Sequence, residues 1–103
     1  MIRKVTPHSG VEPDDGKVAV TFELPATVWA SEVAVVGEFN GWDPTVHRLV
    51  QQPDGSWRLS LQLDRHQTYQ FRYLVDRSAW LNDWWADEYV PTRSGGFISV
   101  LRT

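Results

Sequence analysis

Apolar and polar residues alternate over three long stretches of this chain, residues 17–24, 56–64 and 68–76. Alternation with a period of two is typical of a strand that buries one face and exposes the other. We therefore predict a half-buried β-strand in each stretch. The residues expected to face the core are Val18, Val20, Phe22, Leu24, Trp57, Leu59, Leu61, Leu63, Tyr69, Phe71, Tyr73 and Val75.

The stretch VAVVGEFNGWDP, residues 33–44, is the one around which the other elements are expected to assemble. Its small and β-branched opening, VAVV, suits a buried strand. Gly37 inside this apolar run indicates a bulge or a close approach of another backbone. Asn40 and Gly41 tolerate positive φ and predict a sharp turn, which carries Trp42.

Shorter strands complete the predicted fold. They are expected at residues 33–39, 47–50, 79–83 and 97–101, with a loop at residues 84–93. Turn residues such as the Pro-Asp-Gly of 53–55 separate the segments, and no stretch has a helical period. About seven strands at spacings of roughly ten residues predict an all-β fold, a single immunoglobulin-like antiparallel β-sandwich. A small barrel is the alternative.

The 103 residues fit one domain. Residues 1–16 hold prolines, glycines and adjacent aspartates and are expected to form an irregular lead-in, whereas residues 17–103 form the sandwich domain. There is no cysteine, which excludes disulfides and thiolate metal sites.

Charge and hydropathy narrow the expected partners. The net charge is −3, with acids and bases interspersed, so neither nucleic acid nor a membrane surface is expected to bind. No apolar run approaches the roughly 18 residues of a membrane span. The N-terminus lacks the apolar segment of a signal peptide, and a cytoplasmic location is expected.

Candidates for catalysis or metal binding are few. His8, His47 and His66 lie in the lead-in or at turns without a second ligand at metal spacing, so neither a metal nor another cofactor is expected. Asp83 and Asp87 have the residue type of a glycosidase pair, but so small a domain offers little cleft around them. We therefore expect a protein that is not an enzyme.

Tryptophan is the unusual component, with six residues in a small domain. Trp42 lies in one turn region, and Trp80, Trp84 and Trp85 lie in another. A flat indole at the surface stacks on the C–H face of a sugar ring, while nearby amide, carboxylate or guanidinium groups bind its hydroxyls. The polar groups expected to do so are Asn40, Arg72, Asn82 and Asp83.

The other tryptophans are expected mainly inside the domain. Trp29 and Trp57 are predicted as core residues, since large aromatic side chains are usually buried. Trp84 and Trp85 are adjacent and point to opposite faces in extended backbone, which directs one of them inward. The alternative for the whole set is that aromatic turns only seal the ends of the sandwich.

The segments VAVVGEFNGW, DGSWRLSLQL and YQFRYLVD, followed by a tryptophan and Asn-Asp, resemble carbohydrate-binding module family 48. This family of glycogen- and starch-binding modules precedes isoamylase-type debranching and branching enzymes and occurs in the β subunit of AMP-activated protein kinase. The resemblance runs from about Lys17 to Arg102 and is strongest to small isoamylase early-set domains. It implies an immunoglobulin-like sandwich and α-glucan binding.

The resemblance also implies roles for individual residues. In the kinase subunit two tryptophans cup an α-glucan chain, while a lysine and an asparagine bind its hydroxyls. The tryptophans fall on Trp42 and Trp80, and the lysine falls on Arg72, which keeps the charge but changes the geometry. The asparagine falls within residues 94–96, where this chain has no amide side chain.

Three functions are therefore considered. The first is a non-catalytic α-glucan-binding module for glycogen, starch or a maltooligosaccharide, acting as a monomer or weak homodimer. The second is an interaction or scaffold domain that docks on a glycogen-metabolising enzyme or self-associates through the Trp80–Trp85 surface. The third, a hydrolase, requires a deep cleft with two carboxylates.

Overall fold

The computed structural model of the chain describes residues 2–5, 16–83, 86–93 and 95–103. Within these residues the backbone forms nine strands and one short 3-10 helix. In chain order the elements are β1 Ile2–Val5, β2 Lys17–Leu24, β3 Val33–Gly37, the 3-10 helix Glu38–Asn40, β4 Val50–Gln51, β5 Trp57–Asp64, β6 Thr68–Val75, β7 Ala79–Leu81, β8 Glu88–Pro91 and β9 Phe97–Arg102. No helix in the described part has the length and apolar character needed to cross a membrane.

The strands form two antiparallel sheets that pack on each other as a sandwich. The first sheet has the order β1-β2-β5-β4, and the second has the order β3-β6-β9-β8. The short strand β7 also pairs with β6. The all-β sandwich predicted from the alternating pattern is confirmed.

The core lies between the sheets and is rich in aromatic side chains. Phe22 of the first sheet contacts Phe71 and Tyr73 of the second, with ring centroids 5.3 Å and 6.4 Å apart. These rings meet edge to face, the arrangement that aromatic quadrupoles favour. Phe39 packs against the same cluster, and Trp57 is only 4% exposed. The prediction that Trp57 is a core residue is confirmed.

Two strands differ from the sequence-based prediction. Residues 2–5 pair with β2 as β1, although the prediction assigns them to an irregular lead-in. Residues 88–91 pair with β9 as β8, inside the predicted loop. Both are short strands at sheet edges, where polar residues and proline are tolerated and alternation is weak. Residue 1 and residues 6–15 of the lead-in lie outside the described residues.

The outer faces of the two sheets differ in character. The first carries polar cross-strand pairs, as a solvated face does. They are Lys17–Asp64, Thr21–Ser60 and Glu23–Arg58. The second carries a small apolar cluster of Ala34, Val36 and Leu74, none more than 9% exposed. The outer face of the second sheet therefore holds a small apolar cluster that is covered by neighbouring side chains.

Gly37 ends β3 at a close approach to β6. A methyl group on Gly37 would stand 2.6 Å from the carbonyl oxygen of Gln70, 2.7 Å from Cβ of Phe71 and 2.9 Å from Cε2 of Phe39. The predicted close approach is confirmed. The strand ends here, earlier than the predicted residue 39, because the chain turns into the 3-10 helix.

Replacing Gly37 with alanine should destabilise the domain by about 1–3 kcal/mol, because the added methyl overlaps backbone atoms that cannot move aside. Urea unfolding followed by tryptophan fluorescence measures the effect. Gly96→Ala is the matched control, since its methyl would meet only the hydroxyl of Thr92, at 3.8 Å. Equal midpoints for the two variants would contradict the close approach.

Candidate functional site

Strands β6 and β7 bring Arg72 and Trp80 to the same face of the second sheet. Opposed residues of an antiparallel pair share a face, and Leu74 lies opposite both Ala34 of β3 and Trp80 of β7. Arg72 lies two residues before Leu74 and so faces the same side. Trp80 is 51% exposed. Two of the predicted site residues are thus together on the outer face.

A groove opens on one edge of β6, at the point where its pairing partner changes from β9 to β7. β9 pairs with residues 68–71 and β7 pairs with residues 73–75, so Arg72 falls between the two pairings. The groove has a volume of about 200 Å³ and is lined by Arg72, Trp80, Asn82, Gly96 and Phe97. It combines an indole, a phenyl ring and a guanidinium group in one shallow depression.

Arg72 lines this groove and carries one unpaired donor beneath the surface. Its Nε is buried and has no hydrogen-bond partner within the structure described above. Buried donors are nearly always satisfied in folded proteins. Because this Nε is covered by the protein, a ligand in the groove would meet the more exposed part of the Arg72 side chain.

Phe97 is a residue of the groove that sequence reasoning missed. It is 53% exposed at the first position of β9. The amide nitrogen of Asn82 donates to its carbonyl oxygen at 2.7 Å, which holds the start of β9 beside the end of β7. The sequence gives only a weak signal for Phe97. The run FISVL is apolar almost throughout, so no alternation indicates which face of the strand Phe97 lies on.

Asp83 belongs to a buried polar cluster, not to the ligand-facing surface. It is 1% exposed, and its carboxylate accepts a hydrogen bond of 2.5 Å from the hydroxyl of Tyr73. Its backbone N–H donates to the hydroxyl oxygen of Ser99 at 2.9 Å. The prediction that Asp83 binds a sugar hydroxyl is therefore corrected: this carboxylate joins the strands and is covered.

Asn82 has a related internal role. Its amide oxygen accepts hydrogen bonds from the backbone N–H of Ser99 at 3.1 Å and from the Ser99 hydroxyl at 2.9 Å. Together with the bond to the carbonyl of Phe97, both ends of the amide are engaged with β9. Asn82 lines the groove, but its polar atoms position β7 and β9 around that groove.

The hydroxyl of Tyr73 is held in its protonated form. Burial, followed by the charge of Asp83, the hydrogen bond to that carboxylate and the charge of Glu23, raises the pKa of Tyr73 well above its ordinary value of 10.0. All four influences favour the neutral phenol. Tyr73 therefore remains a hydrogen-bond donor to Asp83 over the whole neutral and mildly alkaline range.

The turn after β3 positions Trp42. Gly41 and Trp42, the two residues after Asn40, both adopt left-handed backbone conformations, with φ of 65° and 62°. The amide of Asn40 accepts from the N–H of Gly37 at 3.1 Å and donates to the carbonyl of Val35 at 3.0 Å. Asn40 thus has a role inside the turn, where its amide bonds to backbone groups, and that it also binds a ligand stays a prediction.

Trp42 itself is 40% exposed. Its backbone N–H donates to the carbonyl of Gly37 at 2.9 Å, which fixes it beside the end of β3, opposite Phe71. Trp42 lies outside the lining of the groove that holds Arg72 and Trp80. That the indoles of Trp42 and Trp80 meet one ligand stays a prediction.

The remaining predicted residues are placed as follows. Trp29 is 90% exposed, so the prediction that it is a core residue is wrong. The carboxylate of Asp87 accepts from the backbone N–H of Arg102 at 2.7 Å, and with Asp83 buried the two do not form an exposed glycosidase pair. His8, Trp84 and Trp85 lie outside the described residues.

No metal centre is visible among the side chains that the structure describes. Across these ranges, no group of three histidine, aspartate or glutamate side chains is placed to share an ion. His47 contacts the amide of Asn40 instead, at 3.0 Å, and His66 is exposed at a turn.

Comparison with known families and proteins yields two findings. The family model for carbohydrate-binding module 48, described as the isoamylase N-terminal domain, matches residues 10–89. Two relatives are 1,4-alpha-glucan branching enzymes GlgB 2 from Xanthomonas campestris pv. campestris, strains 8004 and ATCC 33913. Each is 51% identical over 45 residues, which cover 38% of this chain and 6% of the enzyme. The chain thus matches only a small part of the length of these enzymes.

Replacing Tyr73 with phenylalanine should lower the free energy of unfolding by about 1–3 kcal/mol, because the buried carboxylate of Asp83 loses a donor. Urea unfolding at neutral pH measures the loss. Tyr69→Phe, in the same strand and only partly buried, should cost less than about 0.5 kcal/mol. A cost for Tyr73→Phe no greater than that of the control would show that the contact contributes nothing.

The stability of the wild-type domain should fall as the pH rises above about 10, where a tyrosine in the unfolded chain ionises. Because the folded pKa of Tyr73 is raised, the unfolded state then binds fewer protons, and ionisation favours unfolding. The stabilising contribution is complete below that pH and is lost above it. Unfolding curves across this range should show a smaller decline for Tyr73→Phe, and equal declines would contradict the assignment.

Proposed function

The chain belongs to carbohydrate-binding module family 48, and from this premise we propose that it binds an α-glucan without modifying it. The proposed site is the groove between β6, β7 and β9 on the outer face of the second sheet. The observation that carries the proposal is the combination in that groove of a half-exposed Trp80 with the side chain of Arg72.

The two groups match the two kinds of surface on a glucose unit. The indole face of Trp80 and the ring of Phe97 offer flat apolar surface to the C–H face of the sugar. A terminal N–H of the Arg72 guanidinium donates to a sugar hydroxyl, and a charged donor gives a stronger hydrogen bond than a neutral one. A neutral polyhydroxyl ligand satisfies both requirements at once.

The names of the relatives support α-glucan as the ligand class. The branching enzymes that share the 45-residue match are named for 1,4-alpha-glucan. We propose that Trp42 provides a second stacking surface for the same chain, since the turn after β3 holds it in place next to the strand that neighbours Arg72. Glycogen, starch and maltooligosaccharides all present the required sugar face.

Binding in this groove should be weak. The depression is shallow, and the ligand forfeits freedom of motion when it is held there. A dissociation constant on the order of 0.1–1 mM, or about −4 to −5.5 kcal/mol, is expected for a maltooligosaccharide. Such an affinity suits a module that holds an enzyme or another partner near a polymer with many equivalent sites.

Trp80→Ala should weaken the binding of maltoheptaose in this groove at least tenfold, about 1.4 kcal/mol, because the stacking surface is removed. Arg72→Met should weaken binding several-fold, since the donor is lost while the apolar stem is largely kept. Isothermal titration calorimetry or tryptophan fluorescence measures both. Val46→Ala is the control, because Val46 is 53% exposed but lies outside the groove lining.

The same titration separates glucan binding from partner docking. Wild-type protein that gives no response at about 10 mM maltoheptaose, roughly ten times the upper estimate of the dissociation constant, would reject the proposal. A mass in solution that rises with protein concentration and falls on Trp80→Ala would instead favour self-association through this face. Wild-type affinity in both Trp80→Ala and Arg72→Met would place any glucan site elsewhere.

A further inference from the structure

Trp29 has no part in the proposed groove. It lies in the connection between β2 and β3, which leads from the first sheet to the second. At 90% exposure it has the most accessible large apolar side chain among the described residues. An indole that is left exposed forgoes the stabilisation that burial would give, roughly 25 cal/mol per Å² of apolar surface. A binding role would account for it.

The backbone on both sides of Trp29 is tied to the body of the domain. The indole N–H of Trp57 donates to the carbonyl of Val28 at 3.2 Å. On the other side, the carboxylate of Asp76 accepts from the N–H groups of Ser31 at 2.7 Å and Glu32 at 3.0 Å. The exposed indole therefore stands on an anchored loop and is presented in a defined place.

The surroundings of Trp29 form a small neutral cleft. The cleft has a volume of about 270 Å³ and is lined by Ala26, Val28, Trp29, Ala30 and Gln51. None of these side chains carries a charge. Gln51 directs its amide nitrogen to the carbonyl of Gly55 at 3.3 Å, and its amide oxygen receives no hydrogen bond within the described residues. One flat ring thus stands beside one amide acceptor.

These features favour a sugar over a protein partner. A stable protein interface buries about 800 Å² on each side, whereas a single indole supplies at most about 250 Å². The small alanine side chains around it add little apolar area. The absence of charge in the lining gives an acidic or basic peptide nothing to recognise. A neutral ring with a hydroxyl edge fits the indole and the amide oxygen of Gln51.

We propose that Trp29 and Gln51 form a second α-glucan site, separate from the Trp80 groove. The inference rests on the proposed function, because it assigns the same ligand class to a second surface. Trp80 pairs with Leu74, Leu74 pairs with Ala34, and Ala34 pairs with Arg48, so three strand spacings separate Trp80 from Arg48. Gln51 follows Arg48 by three residues in the chain. With strands about 4.8 Å apart, the two indoles are separated on the order of 20 Å.

Because of this separation, ligand length determines whether one or both sites are occupied by the same glucan. A disaccharide or trisaccharide is too short to reach both indoles, so it binds each site independently. A long or branched glucan can occupy both at once, and the second contact then forms at a high effective concentration. The domain should therefore hold polymer more tightly than either site holds a short oligosaccharide.

The test uses the indole N–H signals of the six tryptophans in ¹H–¹⁵N spectra, assigned by single Trp→Phe substitutions. Maltotriose should shift the Trp29 and Trp80 signals in saturable fashion. In Trp80→Ala the Trp29 signal should still shift with the same midpoint. Because Trp29 is almost fully exposed, Trp29→Ala leaves the fold intact, and Val46→Ala serves as the exposed apolar control.

Affinity electrophoresis in glycogen then measures the gain from two sites. Trp29→Ala and Trp80→Ala should each weaken retention about tenfold or more, and the double variant should lose it, since avidity disappears when one site is removed. Val46→Ala should be retained like the wild type.

The outcomes separate the two proposals. A Trp80 signal that shifts with sugar while the Trp29 signal stays fixed would overturn the second site and leave the proposed function standing. Loss of the Trp29 shift in Trp80→Ala would also overturn it, because one site would explain both signals. A Trp29 signal that follows protein concentration instead of sugar would identify a contact between copies. If neither signal responds to sugar, the proposed function fails as well.

Discussion

The hydrogen bond from the hydroxyl of Tyr73 to the buried carboxylate of Asp83 is the contact on which the geometry of the groove depends. Tyr73 belongs to β6, Asp83 follows β7, and Ser99 of β9 bonds to the backbone of Asp83. One polar cluster therefore joins the three strands that enclose the groove. In an environment of low dielectric such a network is strong when complete and costly when broken, so the positions of Trp80 and Phe97 are coupled to the packing of the core.

The parts of the fold that the sequence predicts are those in which one face of a strand is buried. β2, β5 and β6 alternate clearly because each must bury every second residue between the sheets, and their ends coincide with proline, glycine or polar turn residues. The alternating pattern does not predict β1 and β8. They lie at sheet edges, and their pairing depends on backbone groups that any residue supplies. Hydrophobic periodicity therefore does not detect such edge strands.

Trp80 and Arg72 of the candidate site were predictable from the sequence, whereas Phe97 and the roles of the other polar residues were not. Trp80 and Arg72 lie on one face because of strand period and register, both of which follow from the sequence pattern. Asn40 lies in a tight turn, where a short polar side chain bonds first to nearby backbone groups, whereas Asn82 and Asp83 bond to groups of β9 and β6 that are distant in sequence. Residue type alone does not distinguish a side chain that binds a ligand from one that shapes the turn. Trp29 was predicted to be buried because of its size, but it is exposed.

The turn at Trp42 links backbone strain to the proposed binding face. A bulky residue seldom adopts positive φ, and such conformations persist only where surrounding contacts determine them. Here Asn40 bonds to backbone groups of Gly37 and Val35, and the N–H of Trp42 bonds to the carbonyl of Gly37. Glycine would satisfy the same backbone with less strain. The indole is 40% exposed and borders the second sheet, whose outer face holds the Trp80 groove, so part of its surface is open to a ligand.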